Sequence, residues 1–477
     1  MAQAVAAYEK VWRDYLSNKC NLAERQAIAH LQSLAALDAA ERTADTHVTE
    51  ADFAYIAGAT RGNDVQLLER ALEAYGQHLN LIPFNTNARR MMAETYMRLR
   101  RYEEAFDVFD ELLNMLSDFK EDEIGELEIA PFRLRHDADQ LELLLGCGDI
   151  KIGMADSMTD AIRFFRELAD DLDRGAVRVD TDSVSQRIRR TRVKSLPAEA
   201  QARLYLHGYN RLPPLKGLGV GARSLHGLCD RAFWVEKDPL AHHPKAVWAD
   251  IAEKYVSERL VVVDEFLSAD ALEELRRFVA RAPIFRTMRA GFLGSFPADG
   301  ATHVVIRKLA ESLRERLPSL LDKQPLGLWW FFKYTDEAPN GIGIHADPAA
   351  VNINIWLTPD EARVRGGGLT VFKRVADDRS AVADYNHEFA SEEAEMVLRQ
   401  QLEEGGSVHV EYRANRAVIF ISDQFHVSEP FEFKRGYENH RVNLTLLFGD
   451  RLATSQAGVA EAPHAAARDT SADDLFG

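Results

Sequence analysis

Two histidines and an aspartate are the residues of this chain whose types and spacing could hold a metal. In GIGIHADP, His345 and Asp347 are one residue apart. A strand points alternate side chains to opposite faces, so the pair emerges on one face while Ile344 and Ala346 take the other. Both can then reach one ion. His426 stands just after the apolar run AVIFISDQF, at a distance along the chain that only folding closes. Two imidazoles and a carboxylate on one side of a metal, with the opposite positions open, suit iron(II) better than calcium, which takes oxygen ligands. Alone the pair says little: with 15 histidines in the chain, an H-x-D is expected about once by chance.

The neighbouring strand pattern adds an anion-binding element. RVNLTLLF sets Arg441, Asn443 and Thr445 on one face and Val442, Leu444, Leu446 and Phe448 on the other. A strand divided in this way has one side for a core and one for a polar cavity, and a guanidinium fork there matches a carboxylate. VNINIWLT repeats the division, with Asn352 and Asn354 opposite Ile353 and Ile355. Any half-buried sheet alternates too, so this second pattern argues for the sheet before it argues for chemistry.

From Val261 to Asp450 the sequence resembles the iron(II)- and 2-oxoglutarate-dependent dioxygenase superfamily, in its prolyl-hydroxylase-like branch. The resemblance rests on VVVDEFLSADALEELRRF, Tyr334 ahead of GIGIHAD, the glycine run of RGGGLTVF, NRAVIFISDQFH and then RVN. It implies Fe(II) held by His345, Asp347 and His426, with 2-oxoglutarate as cosubstrate, O2 as oxidant and ascorbate as an accessory reductant. Arg441 would grip the far carboxylate of 2-oxoglutarate. Asn443 stands where relatives often carry a serine that assists the arginine, and Tyr334 and Asn352 are further candidates for the cosubstrate pocket. The implied reaction is hydroxylation of a protein, a peptide or a small metabolite, with release of succinate and CO2. Desaturation or ring closure would use the same triad, whereas halogenating relatives lack the carboxylate that Asp347 supplies. The competing reading is a nonenzymatic repeat-containing adaptor with a metal-binding barrel; a cupin-type barrel would use more histidines and no distal arginine.

Around these residues the chain reads as an α+β protein: an N-terminal helical repeat region followed by a double-stranded β-helix, or jelly roll. Its 477 residues exceed what one core usually organises. Residues 1–172 carry apolar positions at helical spacing. Between Asn87 and Asp118, Ala93, Tyr96, Leu99, Tyr102, Ala105 and Phe109 are spaced as in a tetratricopeptide repeat. An earlier window offers Ala71, Tyr75 and Pro83, although Gly58 and Gly62 fit its first helix poorly, and a third helix pair is expected between Leu134 and Leu172. Such units bury one another and leave a face for a protein or peptide partner. Residues 173–255 read as a connector, 256–450 as the oxygenase domain with strands in LVVVDEF, LGLWWFFKYT, GIGIHAD, VNINIWLT, GGLTVFKRV, SVHVEYR, AVIFISDQF and RVNLTLLF, and 451–477 as a disordered tail.

Bulk properties bound the function. A formal charge of −17 opposes phosphate backbones and anionic membranes, so no nucleic-acid or membrane partner is expected, the basic stretch RIRRTRVKS notwithstanding. Three scattered cysteines, no apolar run of membrane-spanning length and no secretory leader fit a soluble, cytoplasmic protein. Of the other histidines, His387, His409 and His440 are expected away from the metal. Asp423 is either a partner orienting His426 or a loop acid facing water. Tyr385 and Asn386, in the insertion at 376–404, are candidates to touch substrate.

Overall fold

The computed structural model describes residues 2–16, 20–37, 42–177, 190–216, 231–234, 236–289, 292–335, 341–376 and 392–450. Tyr385, Asn386, His387 and the segment 451–477 lie outside them.

Eight helices open the chain: α1 (Ala2–Leu16), α2 (Cys20–Ala35), α3 (Ala44–Thr60), α4 (Val65–Leu81), α5 (Thr86–Arg98), α6 (Tyr102–Ser117), α7 (Pro131–Gly146) and α8 (Ala155–Asp173). From α1 to α6 each helix packs on the next, and α7 packs on α8. Their starts follow from local chemistry: the side chains of Asp64 and Asn85 accept the backbone N–H groups of Leu67 and Ala88 at 3.1 and 3.0 Å, capping α4 and α5. Gly58, which reads poorly as a repeat position, has a packing reason, since a Cβ there would lie 3.0 Å from Leu68 where α3 crosses α4. In the Asn87–Asp118 hairpin Ala93, Tyr102, Ala105 and Phe109 are buried, and Tyr96 and Leu99 are partly so.

The stretch read as a connector carries structure of its own: α9 (Ala198–Leu206), α10 (Arg231–Trp234) and α11 (Lys245–Glu258), plus the two-residue strand β2 (Thr191–Arg192), which pairs with β1 (Glu128–Ile129). Beyond it lie β3 (Leu260–Val263), α12 (Ala269–Arg281), β4 (Thr287–Met288), β5 (Phe292–Ser295), α13 (Val304–Arg316), α14 (Pro318–Leu321), β6 (Leu326–Tyr334), β7 (Val351–Trp356), β8 (Arg363–Gly366), β9 (Leu369–Val375), α15 (Glu392–Glu404), β10 (Ser407–Val410), β11 (Ala417–Ile421), β12 (Gln424–Ser428), β13 (Phe431–Phe433) and β14 (Arg441–Phe448). Ser268 caps α12, its hydroxyl accepting Ala271 N–H at 3.3 Å.

A seven-stranded antiparallel sheet runs β3-β11-β7-β14-β6-β5-β4; a smaller one runs β10-β9-β12, and β13 pairs with β8. The alternation of β14 is realised. Val442, Leu444, Leu446 and Phe448 join the large hydrophobic cluster on the helical side, together with Val351, Ile353 and Ile355 of β7. Trp356, Val418 and Phe420, on the opposite face, meet Leu369, Val371 and Val410 of the small sheet. The polar residues of β7 and β14 thus face the space between the sheets.

Two expected strands differ. GIGIHAD is largely irregular, and its one sheet-like contact is the isolated bridge His345↔His426. AVIFISDQF does not run through: it ends at Ile421, turns at Ser422 and Asp423, and restarts in the other sheet as β12, so His426 lies within a strand instead of after one. The apolar run hides the turn because both arms are buried.

The helical region and the sheets share their largest core. One cluster extends from Ala93 on α5 through Phe165 on α8 to Trp329 on β6 and Phe448 on β14, while α1 to α4 centre on a second. Trp329 stacks on Phe106 at 5.0 Å and meets Phe109 edge-on at 6.0 Å. The carboxylate of Asp450, just past β14, accepts two hydrogen bonds from Arg98 of α5, at 2.7 and 2.9 Å.

Candidate metal centre

His345 and His426 are brought together by backbone pairing. Each donates its N–H to the other's carbonyl, at 3.0 and 2.8 Å, which puts the imidazole centroids 4.2 Å apart. Asp347 is held next to them by its own N–H on the Ser422 carbonyl, 3.1 Å, and by Ser422 Oγ donating to the Asp347 carbonyl, 3.0 Å. Ile344 and Ala346 belong to a separate apolar cluster with Phe372 and Phe425, so the side chains alternate although the segment is not a regular strand.

One ligand atom from each of His345, Asp347 and His426 lies within 4.8 Å of the others, and all three residues are buried. The Nδ1 atoms of His345 and His426 sit 2.9 and 3.0 Å from the carbonyls of Gly343 and Gln424. A carbonyl accepts only, so each Nδ1 carries a proton, and in the neutral ring the lone pair is then on Nε2. Those Nε2 atoms face Asp347 at 3.9 and 3.4 Å. This is the tautomer a metal needs, fixed by the outer partner of each ring. Burial, with His426 alongside, lowers the His345 pKa to about 4, against the pull of Asp347, so the imidazole is neutral at pH 7. The donor set fits a divalent transition metal such as iron(II).

Asn352 was read as a cosubstrate residue; its Nδ2 donates to Asp347 Oδ2 at 2.7 Å, so what it touches is the carboxylate of the triad. Along β14, Arg441 Nη1 donates to Asn443 Oδ1 at 3.3 Å and Asn443 Nδ2 to Thr445 Oγ1 at 3.2 Å. Arg441 is 2% exposed, its guanidinium lies 4.7 Å from the Tyr334 ring centroid, and its Nε and Nη2 reach the Gly367 carbonyl at 3.2 and 3.1 Å. Among the described residues no carboxylate pairs with it. A buried cation held by neutral dipoles alone is costly unless an anion joins it, and this is the observation by which a dicarboxylate fits the site.

The glycine run makes that cradle possible. A Cβ on Gly366 would fall 1.9 Å from the Pro430 carbonyl, one on Gly368 2.3 Å from the Val410 carbonyl, and one on Gly367 3.5 Å from Arg441 Nε. Gly366 and Gly367 also have φ of +62° and +85°.

The Asp423 reading changes. The residue is 1% exposed, so it is no loop acid facing water, and the Nδ1 contact of His426 goes to the Gln424 carbonyl instead. His409 is paired with Glu429 at 2.7 Å, and His440 packs by Tyr437. Ser422 was not singled out from the sequence, although it stands four residues before His426. The carbonyls of Gly343, Gln424 and Gly367 carry no sequence signal, because every residue has one.

No family model matches the sequence, and no curated protein matches it. Among solved structures the chain is similar to an oxidoreductase of the 2OG-Fe(II) oxygenase family from Burkholderia pseudomallei, with 10% identity over 45% of this chain and 97% of that one at a TM-score of 0.30. It is likewise similar to a prolyl-4-hydroxylase from Pseudomonas putida (17%, 45% and 96%, 0.28) and to EctD from S. alaskensis with bound Fe (13%, 49% and 89%, 0.30). At these values the functional reading rests on the site's own residues.

Proposed function

We propose that this chain is an Fe(II)- and 2-oxoglutarate-dependent dioxygenase that hydroxylates a protein, peptide or small-metabolite substrate. The observation that carries the reading is the buried guanidinium of Arg441, lacking an acidic partner among the described residues, on the sheet face that also presents the carboxylate-orienting Asn352. A barrel that only binds metal has no use for such a cation. When bound, iron(II) with 2-oxoglutarate and O2 supplies the oxidising power, the cosubstrate leaving as succinate and CO2. His345, Asp347 and His426 would hold the metal. Arg441 orients the cosubstrate by its distal carboxylate, steadied by Asn443 and walled by Tyr334 and Phe431. The apolar surround of Phe420 and Trp356 keeps water from the reacting groups.

The finer assignments belong to the same proposal: closure of the two sheets as a jelly roll, kinship with prolyl-hydroxylase-like enzymes, tetratricopeptide character in residues 1–172 with a peptide-binding role, and a cytoplasmic setting. No helix among the described residues is long and apolar enough to cross a membrane.

The test is succinate formation from 2-oxoglutarate by iron-loaded protein under air, with His345→Ala, Asp347→Ala and His426→Ala beside the parent. Turnover is expected in the parent and abolished in each variant. Absence of succinate from a parent that binds iron would instead favour a nonenzymatic metal-binding adaptor.

A further inference from the structure

A second cavity, of about 250 Å³, lies between α7, α8, the end of α9 with the segment 207–214 that follows it, and the segment 283–286 that leads into β4. None of its lining residues belongs to the metal cluster or to β7 and β14. Much of the wall is apolar, with Met158, Phe165, Pro213 and Phe285 contributing. The exposed part of the lining is mixed, with Met154 and Leu206, 37% and 75% exposed, beside the exposed Ser157 and the half-buried His207.

Set into this wall are three arginines, Arg133, Arg211 and Arg286, beside the carboxylate of Asp137. Arg133 is matched, its Nε donating to both oxygens of Asp137 at 2.8 Å. Arg286 and Arg211 have no carboxylate partner among the described residues. Arg211 Nη2 donates to the Phe119 carbonyl at 2.5 Å, and its guanidinium lies 4.1 Å from the Tyr205 ring centroid. Arg286 has less: Nε makes a long contact of 3.4 Å to the Pro283 carbonyl, and Nη2 is buried with no hydrogen-bond partner. Two acids act on it through space without a direct bond: Asp137, which is paired with Arg133, and Asp299, whose Oδ2 accepts from Thr287 Oγ1 and Phe296 N–H at 3.2 and 3.0 Å. Burial pushes the guanidinium down to about 10, against the pull of Asp299 and Asp137 and with Arg133 adding to the effect. Arg286 is half-buried, and shielding a guanidinium from water without a direct counter-ion has a cost that a bound anion offsets.

We propose that this cavity binds a small organic monoanion, a carboxylate attached to an apolar body, with its oxygens on Arg286 and its body against Phe165 and Phe285. The size suits a single ring or short chain, and the apolar wall disfavours a hydrated inorganic anion. Such a ligand would fasten α7 and α8 to the edge of the main sheet, where Gln140 of α7 already donates to the Ala282 carbonyl at 2.9 Å.

The experiment is calorimetric titration of the full chain, free of metal and 2-oxoglutarate, with phenylacetate, its neutral amide and inorganic phosphate. One saturable phenylacetate site is expected, with the amide and phosphate each at least tenfold weaker. Arg286→Gln should weaken phenylacetate at least tenfold, Arg286→Lys should restore part of it, and Met158→Trp, which fills the cavity without touching a charge, should abolish it. Arg441→Ala should leave it unchanged, and circular dichroism should show each variant folded. The proposal is overturned if phenylacetate does not bind, if the amide or phosphate binds as tightly, or if binding follows Arg441 instead of Arg286.

Discussion

Arg441 separates an oxygenase from a generic metal barrel, because only the former needs a buried cation matched to a dicarboxylate. Losing a charge-assisted pair in a buried site costs on the order of 3 kcal/mol, about a hundredfold in affinity. Arg441→Ala is therefore expected to keep iron while 2-oxoglutarate affinity falls about a hundredfold. Arg441→Lys should recover a part, since charge survives and the fork does not. Anaerobic titration of iron-loaded protein, followed by the metal-to-ligand absorption band, measures this, and a parent-like affinity in Arg441→Ala would remove it as the anchor. Asn352 makes a different prediction because it donates to Asp347. Partners of metal-binding carboxylates are worth about 10- to 100-fold in metal affinity. Asn352→Ala should weaken iron by that range in a chelator competition, and an unchanged iron affinity would return Asn352 to a purely cosubstrate or packing role.

At the scale of elements, α7 meets β6 through a buried polar cluster that sets a pH dependence. His136 sits with Nδ1 3.0 Å from Asp137 Oδ1, and Lys333 of β6 places its ammonium 3.2 Å from the Tyr437 ring centroid. Burial lowers the His136 pKa to about 3 from an ordinary 6.5, Asp137 opposing and Lys333 adding. The folded state therefore stays unprotonated between those values while the unfolded chain takes up a proton. Stability falls as pH drops through 6.5 towards 3, by about 1.4 kcal/mol per pH unit for one such group. Between pH 7 and pH 5 this group alone should remove about 2 kcal/mol. His136→Phe, whatever its absolute stability, should show that much less loss in urea unfolding at the two pH values. Equal losses in parent and variant would mean that His136 does not titrate in this way.

For the whole molecule, the contact between helices and sheets is core packing, which bears on how residues 1–172 relate to the rest. Trp329 of β6 is fully buried between Phe106 and Phe109 of α6, and its indole N–H donates to the Ala301 carbonyl at 2.5 Å. Trp329→Ala should cost about 3 to 5 kcal/mol. Asp450→Asn, which leaves Arg98 with a neutral partner, should cost about 3 kcal/mol or somewhat less. If the helical region folds separately, as its change of periodicity suggests, both substitutions should spare its unfolding transition. If the shared cluster makes one cooperative unit, both should lower a single transition. Calorimetric scans of the parent and the two variants distinguish these outcomes.

Much of the side-chain placement at the candidate site was readable because alternation along an extended backbone is a local rule. His345 beside Asp347, and Arg441 with Asn443 opposite Val442 and Leu444, follow from a period of two once a strand-like backbone is granted. The capped start of α12 at Ser268 and the two helices of the Asn87–Asp118 stretch were equally local, the first set by capping and the second by the spacing of apolar positions. Other features depended on backbone turns and orientations that residue types do not specify. The turn at Ser422 and Asp423 lies hidden in an apolar run because both flanking strands are buried. Asn352 reaches Asp347 only because β7 starts beside the triad, and the proton positions on His345 and His426 are set by the carbonyls of Gly343 and Gln424, which sequence does not distinguish. The absence of an acidic partner for Arg441 among the described residues is likewise tertiary: a sequence specifies how many charges a chain has, but only folding decides which of them are left in the interior to await a ligand.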